Sequence, residues 1–299
     1  MTATSDVKPV AAAKENVVRR RNPFARYSVH AVVIFLMVIW LLPTIGLLVN
    51  SFRPEQDVAS TGWWQGLLNP SNLSLQNYQE VLAQNGIAEA FVNSLLITIP
   101  ATIIPIAVAA FAAYAFAWME FPGRNVLFVI VVGLLVVPLQ TTLIPILRLF
   151  AGANINGQFL AVWLAHTGYG LPFAIYLLRN FMGSLPREVF ESAAIDGASP
   201  VTSFFRLALP MSVPAIAALA IFQFLFVWND LLVALIFIGA SNSQNLPLTI
   251  AVSNLVSSLG NGWHLLGAAA FLSMALPLAV FFALQRFFVR GITGGAVKG

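Results

Sequence analysis

The side chains best suited to chemistry lie in one polar segment, residues 185–200, between two long apolar stretches. Small residues dominate it, and small side chains allow another surface to approach closely. Two carboxylates flank them, and charged groups at a contact fix its orientation. The residues of this candidate contact are Glu191, Ser192, Ala193, Ala194, Asp196, Gly197 and Ala198. The pattern predicts docking of a partner protein, with Phe190 as an apolar anchor. A plain amphipathic connector is the alternative.

A second group of polar side chains lies inside the apolar stretches. If those stretches cross a membrane, such residues face protein or water and are candidates for a solute path. The candidates are Gln140, Gln223, Trp228, Asn229 and Asp230. Trp228 offers a ring on which a sugar could stack, and Asp230 a carboxylate for hydrogen bonding. Because Asn and Asp also pair across helices, a polar clamp between helices is an equally good interpretation of Asp230.

Catalytic and metal chemistry are poorly represented in the chain. It has no cysteine, which excludes disulfides, zinc–thiolate sites and a cysteine nucleophile. The three histidines, His30, His166 and His264, are far apart, so no metal site is expected. No glycine-rich phosphate-binding loop and no set of nucleophile, base and orienting residue stand at suggestive spacing. We therefore expect no catalytic residues, no metal and no cofactor on this chain.

The composition points to a membrane protein. Of the 299 residues, 59% are hydrophobic and only 9% are charged, and the mean hydropathy is +0.85. Soluble domains average about 45–50% apolar and about 25% charged residues. The net charge is +4 at pH 7. Because the Lys and Arg residues are distributed as the expected membrane topology requires, this charge does not indicate nucleic-acid binding.

Charge-free intervals locate the spans, because a charged side chain at a helix centre costs about 2.5–3.5 kcal/mol on insertion scales. The last interval, 231–285, must contain a reversal, since 239–262 is polar and rich in turn formers. The sequence predicts an all-α membrane protein with six transmembrane helices. Their expected positions are near 28–50, 90–118, 125–147, 158–181, 207–238 and 265–288.

The distribution of basic residues gives the orientation. In the six-span arrangement, all of the 15 Lys and Arg residues except Arg53 and Arg148 fall on one side. Basic residues mark the cytoplasmic side of a membrane protein. Both termini are therefore expected to be cytoplasmic.

The expected organisation has three parts. A basic tail covers residues 1–25, a six-helix domain covers 26–290, and a short tail covers 291–299. The cytoplasmic connection between the fourth and fifth spans is the region 186–206 of that domain.

That connection predicts two short helices. Pro186 fits the first turn of a helix, and Gly197 can supply the left-handed residue that ends it. Ser199 and Pro200 then form an N-cap followed by proline in the first helical position, which starts a second helix.

The string ESAAIDGA, residues 191–198, resembles the coupling motif of bacterial ABC importer permeases. That motif is Glu-Ala-Ala, three residues, Gly, nine residues, then a branched apolar residue, any residue and Leu-Pro. Here nine residues separate Gly197 from Leu207, and Leu209–Pro210 follow; only Ser192 and Leu207 deviate. The segments Asn77–Tyr78, Asn93–Ser94, Trp228–Asp230 and the final FFVRGITGGAVKG resemble the second, maltose-type permease of carbohydrate importers.

The resemblance implies a type I ABC importer permease in the cytoplasmic membrane of a bacterium or archaeon. It implies that 187–198 docks on an ATP-binding subunit and that the cargo is a sugar or oligosaccharide. The implied partners are a second permease in a heterodimer, a dimer of ATPase subunits that bind ATP and Mg²⁺, and an extracellular solute-binding protein. The alternative is a self-contained secondary transporter or channel, which would need an ionisable group near the bilayer midplane.

Overall fold

A computed structural model describes residues 23–84, 86–239, 242, 244–255 and 262–296. Most of the expected N-terminal tail, residues 256–261 and the end of the C-terminal tail at 297–299 lie outside the described residues. Within the described ranges the chain is helical and contains no strand. The prediction of an all-α protein is confirmed for this part of the chain.

The helices are numbered along the chain. They are α1 Pro23–Ser51, α2 Glu55–Ser60, α3 Gln65–Leu68, α4 Gln76–Gln84, α5 Ile87–Trp118, α6 Arg124–Gly133, α7 Leu139–Gly152, α8 Phe159–Met182, α9 Arg187–Ile195, α10 Pro200–Ser203, α11 Leu209–Met211, α12 Val213–Trp228, α13 Leu232–Phe237, α14 Leu248–Ser253 and α15 Trp263–Ala296. Two 3₁₀ turns, Pro70–Asn72 and Leu134–Val136, and one π-helical turn, Phe204–Ala208, connect some of them.

Four helical segments are long and apolar enough to cross a bilayer. They are Tyr27–Ser51 of α1, all of α5, all of α8 and Trp263–Ala283 of α15. Two bent pairs add to them: Arg124–Val136 with α7, bent by 102°, and Pro200–Met211 with α12, bent by 70°. The described part of the chain therefore has four to six candidate spans, and six is reached when each bent pair is one span.

Prolines account for both bends. Val137 precedes Pro138 and is extended (φ −72°, ψ 117°), because proline disfavours the helical conformation of the residue before it. The second bend is at Ser212, between Pro210 and Pro214. The expected helices near 125–147 and 207–238 are therefore each broken by a bend. The second of these is interrupted again between Trp228 and Leu232.

The core lies between α5 and α8. Ala109 and Ala113 of α5 are fully buried, and Ala174 of α8 is 2% exposed. Without side chains beyond Cβ at these positions, the two helices approach closely, as is typical of membrane helix pairs. Larger buried residues such as Leu178 and Leu219 fill the remaining space on the side of α12. This pair is the frame on which the connection 186–206 is mounted.

Helix α1 begins in the first of two compact units, residues 1–46, and ends in the second, residues 47–299. Its apolar side chains in the first unit are exposed, including Phe35 at 63% and Trp40 at 81%. A helix that is apolar all round and uncovered suits contact with lipid.

The connection after α1 is organised by Arg53, whose side chain is buried. Its guanidinium donates hydrogen bonds to the carbonyl oxygen of Asp57 at 2.9 Å and to the hydroxyl of Thr61. Asn77 of α4 donates to the carbonyl oxygen of Arg53 at 2.8 Å. Helix α4 begins two residues after Ser74.

Candidate functional site

Helix α9 is the first of the two expected short helices, and it carries the small-residue motif. It begins after Pro186 and ends in a left-handed glycine, Gly197, with φ +80°. The amide of Gly197 donates to the carbonyl of Ala194 at 3.0 Å, and the amide of Ala198 donates to the carbonyl of Ala193 at 2.9 Å. This pair of bonds is the Schellman motif, which satisfies the last carbonyls of a helix. The predicted role of Gly197 as the C′ residue is confirmed.

The motif residues form a surface that the rest of the chain leaves uncovered. The exposed members are Glu191, Ser192, Ala194, Asp196 and Gly197, and the half-buried members are Ala193 and Ala198. A Cβ built at Gly197 would meet nothing within 4 Å. The structure thus brings all seven predicted residues of 191–198 to one accessible segment.

Phe190 does not belong to that surface, which corrects its expected role as an outward anchor. It is 8% exposed and its ring stacks on Trp118 at the end of α5, with centroids 3.8 Å apart and planes 20° from parallel. The indole N–H of Trp118 donates to the carbonyl of Met182, the last residue of α8, at 3.0 Å. The sequence did not reveal which side of α9 faces the membrane domain. The most exposed large apolar residue of α9 is Ile195, at 86%.

The second short helix is α10, which begins as expected. The Ser199 hydroxyl accepts the amide of Thr202 at 3.2 Å, and Pro200 occupies the first helical turn. The π-helical turn Phe204–Ala208 follows and is anchored by Phe204, whose ring stacks on Phe111 of α5 with centroids 4.6 Å apart. Helices α9 and α10 are therefore both attached to the last turns of α5.

Gln223, one of the candidate path residues, is an interhelical clamp. Its side chain is 8% exposed and donates from Nε2 to the carbonyl of Ala101 in α5 at 3.2 Å. A Cβ built at Gly170 of α8 would lie 2.8 Å from its Oε1. Gln223 thus fills the space where α5, α8 and α12 meet.

Trp228 is also buried, at 3% exposure, and it has no uncovered ring face for stacking in this conformation. Its indole N–H donates to the carbonyl of Ser273 in α15 at 3.0 Å. One neighbour, Phe224, is parallel to it at 5.8 Å between centroids, and Phe91 meets it edge-on at 5.3 Å. The side chain packs α12 against α5 and α15.

Asp230 caps helix α13. Its carboxylate accepts the amides of Val233 at 3.2 Å and Ala234 at 2.9 Å, and its carbonyl accepts the hydroxyl of Thr249 at 2.6 Å. Oδ2 lies 3.6 Å from Nε2 of His166, a buried residue of α8 that the sequence analysis considered only as a possible metal ligand. These contacts support the clamp interpretation of Asp230.

Gln140 and Asn229 are the two exposed members of the predicted path set. Asn229 donates back to the carbonyl of Leu225 in its own helix at 2.8 Å, while Gln140 lies in the first turn of α7, after the 102° bend. Within the described ranges, no three His, Asp or Glu residues lie close enough to hold a metal ion. That this chain binds no metal ion remains a prediction.

Asn93 and Ser94, which the sequence analysis used only for the family resemblance, hold two distant segments together. Asn93 of α5 donates to the carbonyls of Gln244 and Leu246, both at 3.1 Å. The hydroxyl of Ser94 accepts the amide of Leu248 at 2.8 Å. These bonds fasten the start of α5 to the segment before α14. Their sequence separation explains why no local pattern revealed them.

Comparison with known proteins decides the family. Residues 105–294 match the family described as "Binding-protein-dependent transport system inner membrane component". The match covers more than half of the chain and includes α9 and the surface 191–198. The chain belongs to this family. This permease is accordingly a multi-pass membrane subunit of an ABC transporter, and ATP hydrolysis takes place on a separate subunit. The predicted family, membrane location and transport role are confirmed.

Relatives cover nearly the whole permease. It is 55% identical to the osmoprotective compounds uptake permease protein GgtD of Synechocystis sp., over 95% of this chain and 96% of that protein. It is 40% identical to the alpha-glucoside transport system permease protein AglG of Rhizobium meliloti, over 94% and 99% of the two chains.

A solved structure shares the fold. A chain of a bacterial ABC transporter that imports the acidic polysaccharide alginate superimposes with a TM-score of 0.75 over 90% of this permease and 98% of that chain, at 17% identity. At that identity the likeness concerns the fold, which is that of an ABC importer permease. The expected type I importer fold is confirmed. A second structure shows an alginate transporter in complex with a periplasmic protein carrying an alginate pentasaccharide.

Proposed function

We propose that this permease carries a neutral sugar, an α-glucoside or a related osmoprotective compound, across the cytoplasmic membrane. The relatives at 55% and 40% identity support this cargo class. Helices α5, α12 and α13 support a neutral cargo, because they contain no Lys or Arg that could pair with the carboxylates of an acidic saccharide. An extracellular solute-binding protein delivers the cargo.

The surface formed by 191–198 docks on the ATP-binding subunit. The observation that carries this proposal is its accessibility: Gly197 ends α9 with open space around it, and the small residues before it are uncovered. Glu191 and Asp196 orient the contact and Ile195, 86% exposed, supplies the apolar anchor. ATP and Mg²⁺ bind the ATPase dimer and not this chain, and a second permease completes the heterodimer.

The permease crosses the membrane six times, with each bent pair as one span and both termini in the cytoplasm. The distribution of Lys and Arg supports this orientation. The chain has no cysteine, so single cysteines introduced at residues 5 and 296 are its only thiols. A membrane-impermeant maleimide should label neither in intact cells, whereas a cysteine at residue 69 in the outer connection should react. Labelling of one terminus alone would mean an odd number of spans.

The five path residues divide into two groups in the proposed mechanism. Gln140 and Asn229 contact the solute, since their side chains are exposed. Gln223, Trp228 and Asp230 shape the path by holding α5, α8, α12 and α13 in place. Asn229→Ala should then raise the KM for uptake, whereas Gln223→Leu should lower the amount of assembled complex.

Purification in mild detergent tests the assembly. A tagged permease should retain two copies of an ATPase and one second permease, and Glu191→Lys should release the ATPase. Uptake of labelled trehalose, sucrose or maltose should stop on ATP depletion at a constant proton gradient, and alginate oligosaccharides should not compete. A lone chain that transports without ATP would favour the secondary-transporter alternative.

A further inference from the structure

His166 is the most completely buried ionisable residue in the described part of the chain. It is 0% exposed, and neither ring nitrogen has a hydrogen-bond partner. Its ring meets Phe226 edge-on, with centroids 5.7 Å apart. A buried polar group usually has a partner, so each exception calls for a physical explanation.

The nearest candidate partner is the carboxylate of Asp230. Its Oδ2 lies 3.6 Å from Nε2 of His166, outside the 2.7–3.2 Å range of an N–H···O hydrogen bond. Asp230 is held in place by the amides of Val233 and Ala234 and, through its carbonyl, by Thr249. The carboxylate is thus fixed to α13, and a shift of about half an ångström by α8 would bring the imidazole into bonding range.

Helix α8, which contains His166, also contains the point at which α9 is attached to the membrane domain. Helix α8 continues from His166 to Met182, about 24 Å away at 1.5 Å per residue. There the carbonyl of Met182 accepts the indole of Trp118, on which Phe190 of α9 stacks. A displacement of α9 that tilts α8 therefore changes the distance between His166 and Asp230.

We propose that His166 is a positioning residue for transport, whose imidazole N–H bonds to Asp230 in one nucleotide state of the transporter and separates from it in the other. The proposal rests on the proposed coupling through 191–198. In this structure Nε2 of His166 and Oδ2 of Asp230 are 3.6 Å apart, close enough for an ion pair but without a hydrogen bond. Closing the pair connects α8 to the break between α12 and α13, so that movement of α9 reaches the opposite end of the fifth candidate span.

A static clamp is the competing explanation, and a double-mutant cycle with two nucleotide states separates the two. The variants are His166→Leu, which removes the donor, His166→Gln, which retains one, Asp230→Asn, and the double variant His166→Leu/Asp230→Asn. Each is assembled with its partner subunits in proteoliposomes. Uptake of labelled trehalose and ATP hydrolysis are measured together, and melting temperatures are recorded with and without a non-hydrolysable ATP analogue.

We expect His166→Leu to lower the turnover of uptake about tenfold, the value of one hydrogen bond to a charged group, with the KM unchanged. His166→Gln should recover most of the loss, and the double variant should be no worse than the worse single variant. The melting temperature of His166→Leu should fall in one nucleotide state only.

Equal melting-temperature losses in both states would establish a static clamp and overturn the proposal. Additive effects in the double variant, or wild-type turnover in His166→Leu, would also overturn it. If the unaltered complex neither hydrolyses ATP nor takes up sugar, the proposed function fails instead, so the two failures are distinguishable.

Discussion

The conformation of Gly197 gives the sharpest prediction. Its φ of +80° is in the left-handed region, yet a Cβ there would meet nothing within 4 Å. Gly197→Ala therefore tests backbone conformation without a steric clash. An L-residue in the left-handed conformation costs about 1–2 kcal/mol. This cost lowers the ratio of capped to frayed α9 about 5- to 30-fold.

Three substitutions at this position should form a series. Asn adopts the left-handed conformation more readily than Ala, so Gly197→Asn should have the smallest effect. Gly197→Pro should be the most severe, because proline fixes φ near −65° and lacks the amide that donates to Ala194. We expect the loss of sugar uptake to be smallest for Gly197→Asn, larger for Gly197→Ala and largest for Gly197→Pro, while the permease remains in the membrane.

Gly123 offers a matched control. It also has φ +80° and open space around its Cβ position, but it lies in the turn between α5 and α6. Gly123→Ala introduces the same backbone strain away from α9. The assay is uptake of labelled sugar together with retention of the ATPase on purification. Unchanged uptake in Gly197→Ala, or equal losses in the two alanine variants, would refute the link between this C-cap and coupling.

The remaining predictions concern contacts in three other regions. Trp118→Leu removes the ring on which Phe190 stacks and should uncouple ATP hydrolysis from uptake, whereas Trp118→Phe, which loses only a hydrogen bond of about 1 kcal/mol, should retain coupling; equal behaviour of the two would contradict this. Gly170→Ala places a Cβ 2.8 Å from the terminal amide of Gln223, which must move and give up its bond to Ala101, and the unpaired amide should destabilise the permease by about 1–3 kcal/mol in thermal unfolding. Gly168→Ala, with nothing within 4 Å, should not destabilise it. Arg53→Gln should expose the outer connection to proteolysis, and a protease-resistant variant would argue against its organising role.

Local chemistry determined what could be predicted from the sequence. The caps of α9 and α10 involve neighbours within a few residues, so Gly197, Ser199 and Pro200 were assigned correctly. The bends of 102° and 70° lie beside Pro138 and Pro210, but their angles depend on how the flanking helices pack. The length of a charge-free interval predicts how many apolar residues a span contains, but it does not predict the angle at which the helix bends.

Side-chain orientation was the harder problem. Phe190 and Ile195 are both apolar residues of α9, and their exposures of 8% and 86% are decided by the position of Trp118, 72 residues earlier. Asp230 was equally consistent with a path or a clamp, and only its partners in α13 and α8 favour the clamp. Long-range contacts of this kind have no local pattern.

The bonds from Asn93 and Ser94 to residues 244–248 also bear on how the chain is made. They join positions 151 to 154 residues apart, so the start of α5 leaves the ribosome long before its partners exist. At about 5–20 residues per second, the delay is about 8–30 s. During this interval the side chains of Asn93 and Ser94 lack these partners. Chains that stop short of residue 244 should therefore be recognised by membrane proteases, which would remove incomplete permeases before they meet their partner subunits.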